Sequence, residues 1–164
     1  MPELEKYLKN KLEKARAVAV MGIGSELRGD DGAGMIVARR LEKSLSKVKR
    51  PRIKIFHGST APENLTGEIR LFKPSHLLIV DSVEIGERPG TVLVLSPEDM
   101  GGGVSFSTHK MPAKILADYL SKSVGCSIIM IGIQPGSLKF GSKISRSISD
   151  SSREVASAIR NSVK

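Results

Sequence analysis

The chain predicts an α/β fold, a three-layer α/β/α sandwich built on a mostly parallel five-stranded sheet with one antiparallel strand. Three observations carry that prediction. Short apolar runs containing β-branched residues alternate with amphipathic stretches of helical period. The runs AVAVMGI, HLLIV and SIIMIGI are apolar throughout, as strands buried on both faces are. Only the turn-rich segment SVEIGERPG separates the third strand from the fourth, TVLVL. That is too short for a crossover helix, so those two strands are expected to pair antiparallel.

Each element follows in order. Residues 3–14 place Leu4, Leu8 and Leu12 four apart with charges between them, an amphipathic helix with one narrow apolar stripe. It reads as a helical extension, 1–15, on an α/β/α core, 16–164, within a single domain spanning 1–164. Residues 17–23 form the first strand, closed by Gly22 and Gly24, and 31–45 form a helix on the wheel of Met35, Ile36, Val37, Ala38 and Leu41. Residues 52–56 alternate Ile53 and Ile55 as a second strand, and Pro62 opens a short helix, where its missing N–H costs nothing. The third strand, 76–80, ends at Asp81, and 91–95 form the fourth. The glycine-rich loop MGGGVSFSTHK leads into a helix over 112–120, and 127–133 form the last strand. Asp150 is placed to cap the closing helix.

Composition bounds the function. A chain of 164 residues fits one domain with one good core. No run approaches the roughly 20 apolar residues that span a bilayer. The start, MPELEKYLKNKLEKAR, lacks the apolar centre and cleavage site of a signal peptide, which predicts a cytoplasmic protein without a membrane partner. A single cysteine, Cys126, has no internal disulfide partner and is expected as a buried or half-buried thiol. Lys and Arg number 26 against 17 Asp and Glu, a formal charge of +9. The bases are scattered, with Lys43, Lys47, Lys49, Arg50 and Arg52 the densest group, and two Tyr, four Phe and no Trp leave little to stack bases, so no nucleic-acid partner is expected.

The chemistry gathers where an open parallel sheet places its ligands, at the carboxyl ends of the strands. Asp30 and Asp31 follow the first strand, Asp81 ends the third, and His109 closes the glycine-rich loop before its helix. Carboxylate and imidazole together suit nickel, zinc, iron or manganese, and three ligands leave positions open for water or a partner's groups. A closed zinc site would need four ligands, usually with cysteines. Singly, each residue also fits a structural role: the aspartates favour a helix N-terminus, and Asp81 and His109 can serve their turns. Adjacent helical residues point about 100° apart, so one of Asp30 and Asp31 is expected to brace while the other reaches the site. A nucleotide turn is excluded. Leu27 stands where the dinucleotide fingerprint needs its third glycine, no Gly-Lys-Ser/Thr is present, and the acids would face phosphates.

Five blocks, GIGSELRGDDGAG, HGSTAPENLTGEI, LLIVDSVEIGERPGT, STHKMPAKIL and IGIQP, resemble the hydrogenase maturation endopeptidase family, in order and over residues from about 17 to 160. The resemblance implies a five-stranded α/β/α protease that trims the C-terminal peptide from the nickel-iron hydrogenase large-subunit precursor. It implies metal contact through Asp31, Asp81 and His109, which serve as the candidate catalytic and metal residues, with the nickel carried by the precursor and no organic cofactor. Ser25 stands where the family usually has asparagine. His57 lies on the same predicted rim, as a substrate contact or a surface residue. The alternative is a non-catalytic metal-binding or metal-checking module of hydrogenase assembly.

Overall fold

The computed structural model describes residues 1–96, 105–106 and 113–163. Helix α1 (Pro2–Leu12) precedes β1 (Ala17–Ile23); a 3-10 turn (Gly29–Gly32) then runs into α2 (Ala33–Leu45). Strand β2 (Arg52–Ser59), a second 3-10 turn (Pro62–Leu65), α3 (Thr66–Phe72) and β3 (His76–Glu84) follow. The chain continues through β4 (Val92–Leu95), the two-residue β5 (Ser105–Phe106), α4 (Ala113–Val124), β6 (Ser127–Ile133) and α5 (Arg146–Ser162).

The sheet order is β2-β1-β3-β6-β4, the first four strands parallel and β4 antiparallel, so the predicted fold class and its five strands are all present. Strand β5 adds a short antiparallel pairing to the end of β3, Val83 opposite Phe106. One expectation is corrected. Strand β4 pairs with β6, Val92 opposite Ile133 and Leu95 opposite Met130, and β6 lies between it and β3. The reason is burial. Strands β3 and β6 are apolar on both faces and need a neighbour on each side, whereas the half-buried β4 suits an edge.

The sheet divides the core in two. Val18, Val20, Leu78, Val80, Ile129 and Ile131 face α1, α2 and α5; Ala19, Met21, Leu77, Ile79, Ile128 and Met130 face α3 and α4. This is the period-two alternation of a strand with both faces covered. Leu4, Leu8 and Leu12 are buried in the first layer, so α1 is part of the core packing, and its Glu5 accepts a 3.0 Å hydrogen bond from Asn161 of α5.

The closing helix begins a turn earlier than expected, at Arg146. Asp150 therefore sits inside α5, 3.1 Å from Arg153 and 3.9 Å from Arg146, and does not cap it. Ser145, at the N-cap position, spends its hydroxyl on Asp30.

Candidate functional site

The chain leaves β1 for β2 on one side and later returns to β3 on the other. The strand order therefore reverses between β1 and β3, and the crevice beyond their carboxyl ends is the topological switch point of this sheet. The loop after β1 turns sharply at Gly24, whose φ of 128° and contact with the Asp31 carbonyl leave no room for a side chain. This turn brings two adjacent aspartates back over the sheet, both 1% exposed.

The two carboxylates do different work. Asp30 holds the loop after β6. Its Oδ2 accepts from the backbone N–H of Gly136 (2.9 Å) and Ser137 (3.0 Å) and from the Ser145 hydroxyl (3.1 Å), and its Oδ1 accepts from Ser145 N (2.6 Å). Its own N–H donates to Ser137 O at 3.0 Å. Asp31 instead ties the β1 turn to β3: Oδ2 accepts from Ser25 N at 2.8 Å and Oδ1 from the Ser82 hydroxyl at 2.8 Å. Because Ser25 donates its main-chain N–H, this bond does not depend on whether serine or asparagine occupies the position.

Asp81 lies within β3, at its carboxyl end, with no exposure. Successive strand residues leave opposite faces, so Ser82 meets Asp31 on the α2 side while Asp81 takes the face of Leu77 and Ile79, covered by α3 and α4. His109 lies outside the described residues. Among the described residues no group of three His, Cys, Asp or Glu side chains is placed to hold a metal. His57 sits toward the end of β2, its Nε2 3.2 Å from Glu42 of α2, a surface pairing.

Two residues that sequence reasoning left without a role complete this rim. Ser82 orients Asp31, and Gln134, 3% exposed just beyond β6, organises the loop after β3. Gln134 Oε1 accepts from Ile85 N (2.8 Å) and Glu87 N (3.3 Å); its Nε2 donates to Glu84 Oε1 (2.9 Å) and Pro135 O (3.0 Å). Its backbone exchanges two 2.9 Å bonds with Thr91 O and Gly90 N. A buried glutamine closing the IGIQP run is the signal that could have marked it, since a buried amide needs every partner.

A cleft of about 810 Å³ lies at the opposite end of the sheet, lined by Lys14, Arg16, Arg52, Arg70, Lys73 and His76. Burial holds the His76 imidazole below its usual value of 6.5. The cleft carries cations where the crevice carries carboxylates.

A doubly covered parallel sheet with buried carboxylates at its switch point is the architecture of an α/β enzyme. The chain belongs to the hydrogenase maturation protease family, whose model matches residues 35–162, and it is a peptidase. It is 34% identical over 143 residues to a putative hydrogenase maturation protease of Methanocaldococcus jannaschii, covering 84% of this chain and 83% of the relative. With the hydrogenase 3 maturation protease of Escherichia coli K12 it shares 35% identity over 128 residues, 78% and 79% of the two chains. The crystal structure of a [NiFe] hydrogenase maturation protease from Thermococcus kodakarensis KOD1 superposes with a TM-score of 0.85 at 31% identity, covering 96% of this chain and 98% of that one.

Proposed function

We propose that the protein is a cytoplasmic endopeptidase that removes the C-terminal peptide from a nickel-iron hydrogenase large-subunit precursor once nickel is in place. Asp31, Asp81 and His109 are the residues that would meet the nickel, which arrives with the substrate. The observation that supports this reading most is Asp81, a carboxylate with no exposure at the carboxyl end of the central strand, one position before the serine that orients Asp31 from the strand's other face. Burying a carboxylate costs stability.

The chemistry follows from the donor set. Carboxylate oxygens and an imidazole nitrogen suit nickel, and three such groups complete a coordination sphere that a nickel-free precursor cannot offer. Affinity then depends on the ion, and falls when the tail carrying the scissile bond has gone. Two hydrogen bonds fix the direction of the Asp31 carboxylate before substrate arrives. Water is activated at this same centre, either by the ion, which lowers its pKa and polarises the carbonyl, or by an aspartate acting as general base.

The test is to incubate purified protein with nickel-loaded and with nickel-free precursor and to weigh both products. Loss of a short C-terminal peptide from the loaded form alone is expected. Shortening of both forms, or of neither, rejects the reading.

A further inference from the structure

The loop after β1 and the loop after β6 form one ridge. Gly141 N donates to Leu27 O at 2.8 Å, Arg28 Nε to Leu138 O at 3.3 Å, and Asp30 N to Ser137 O at 3.0 Å. The Asp30 carboxylate fastens residues 136, 137 and 145 from beneath. Gly29, at φ 56°, sits where a Cβ would run into Ser142 and come within 2.9 Å of Ser137 O, so the two loops are in close contact.

On this ridge stand Leu27, 66% exposed, and Phe140, 74% exposed. Isolated exposed apolar residues are ordinary. These two stand on segments joined by a direct backbone hydrogen bond, in loops held in place by a buried aspartate. Lys139 and Lys143 flank Phe140, are exposed, and have no ion-pair partner among the described residues. The loop bearing Leu27 also bears Asp31 four residues on, which limits their Cα separation to roughly 14 Å. An apolar pair with two unpaired lysines on one side, beside the crevice, has the composition of a recognition surface, with an anchor for apolar contact and charges that steer.

We propose that the Leu27–Phe140 ridge is the docking surface for the protein substrate, and that the precursor presents to it an apolar side chain flanked by carboxylates. This rests on the endopeptidase reading, because the occupant is the protein whose chain must enter the adjacent crevice. The lysines set what the precursor must bring there: carboxylates drawn to Lys139 and Lys143, around an apolar residue covered by Leu27 and Phe140.

The experiment measures precursor binding and precursor cleavage separately. Purified nickel-loaded precursor is titrated against wild type and against the L27S/F140S double variant, at low and high salt, and the same proteins are assayed for KM and kcat. Expected are a loss of affinity and a rise in KM of about tenfold, with kcat within twofold of wild type and an unchanged melting temperature. The K139E/K143E variant is expected to weaken binding more at low salt than at high salt. Unchanged affinity and KM in the double variant overturn the proposal, as does a fall in kcat at constant KM. Should wild type bind precursor without cutting it, the endopeptidase reading fails while binding still decides the ridge. Should wild type not bind precursor at all, the ridge proposal fails.

Discussion

Asp30 and Asp31 are the same residue type, adjacent and equally buried, and their neighbours give them separate duties. Asp30 accepts four hydrogen bonds from three residues more than a hundred positions downstream. Replacing it with alanine removes four part-buried hydrogen bonds to a carboxylate, each worth about 1.5–3 kcal/mol. We expect D30A to lose about 3 kcal/mol or more in urea unfolding. Under the proposed function Asp81 and His109 belong to the other kind. D81A and H109A are expected to abolish processing of nickel-loaded precursor while the circular dichroism spectrum stays that of the wild type. Wild-type cleavage by a folded H109A protein would remove His109 from the assignment. From the turn of a helix alone the sequence made it legible that the two aspartates point apart and that one of them braces. Which one braces was not legible, because the deciding amides, at Gly136, Ser137 and Ser145, carry no side-chain signature and come from the far end of the chain.

Among the elements, periodicity was the most readable signal. Strands β1 and β6 stand at the residues the apolar runs mark, and the stripe of α1 is buried as its spacing requires. Leu8 has no exposure and lies in the layer shared with α5, so L8A is expected to cost 2–5 kcal/mol of unfolding free energy, measured by chemical denaturation. Starts and neighbours were harder to read. Helix α5 begins at Arg146 and not beyond Asp150, because Ser145 is held at Asp30, a tertiary contact that local capping rules do not contain. The position of β4 depended on which central strand lacked a neighbour, and a short connection proves an antiparallel direction without naming the partner.

At the scale of the whole molecule, the charge is uneven in a way composition conceals. Cations line the amino-terminal end of the sheet, and buried carboxylates occupy the other. Stability should reflect this on acidification. His76 titrates below its usual 6.5 because burial disfavours its charged form, so between the two values the unfolded chain binds more protons. Stability is then expected to decline as pH falls from about 6.5, and H76Q should flatten that part of a melting-temperature profile. A second decline belongs below about 4.5. The Glu26 carboxylate is held under that value chiefly by its hydrogen bond to Arg39, and its protonation releases the pair that joins the β1 loop to α2. The Gln134 amide and backbone take the N–H groups of Ile85, Glu87 and Gly90 together. A single side-chain rotation uncovers the first two, so in deuterated buffer the Ile85 and Glu87 protons should be replaced together, while that of Gly90, held by the Gln134 backbone carbonyl, is retained. The crevice wall would then breathe apart from the outer margin of the sheet.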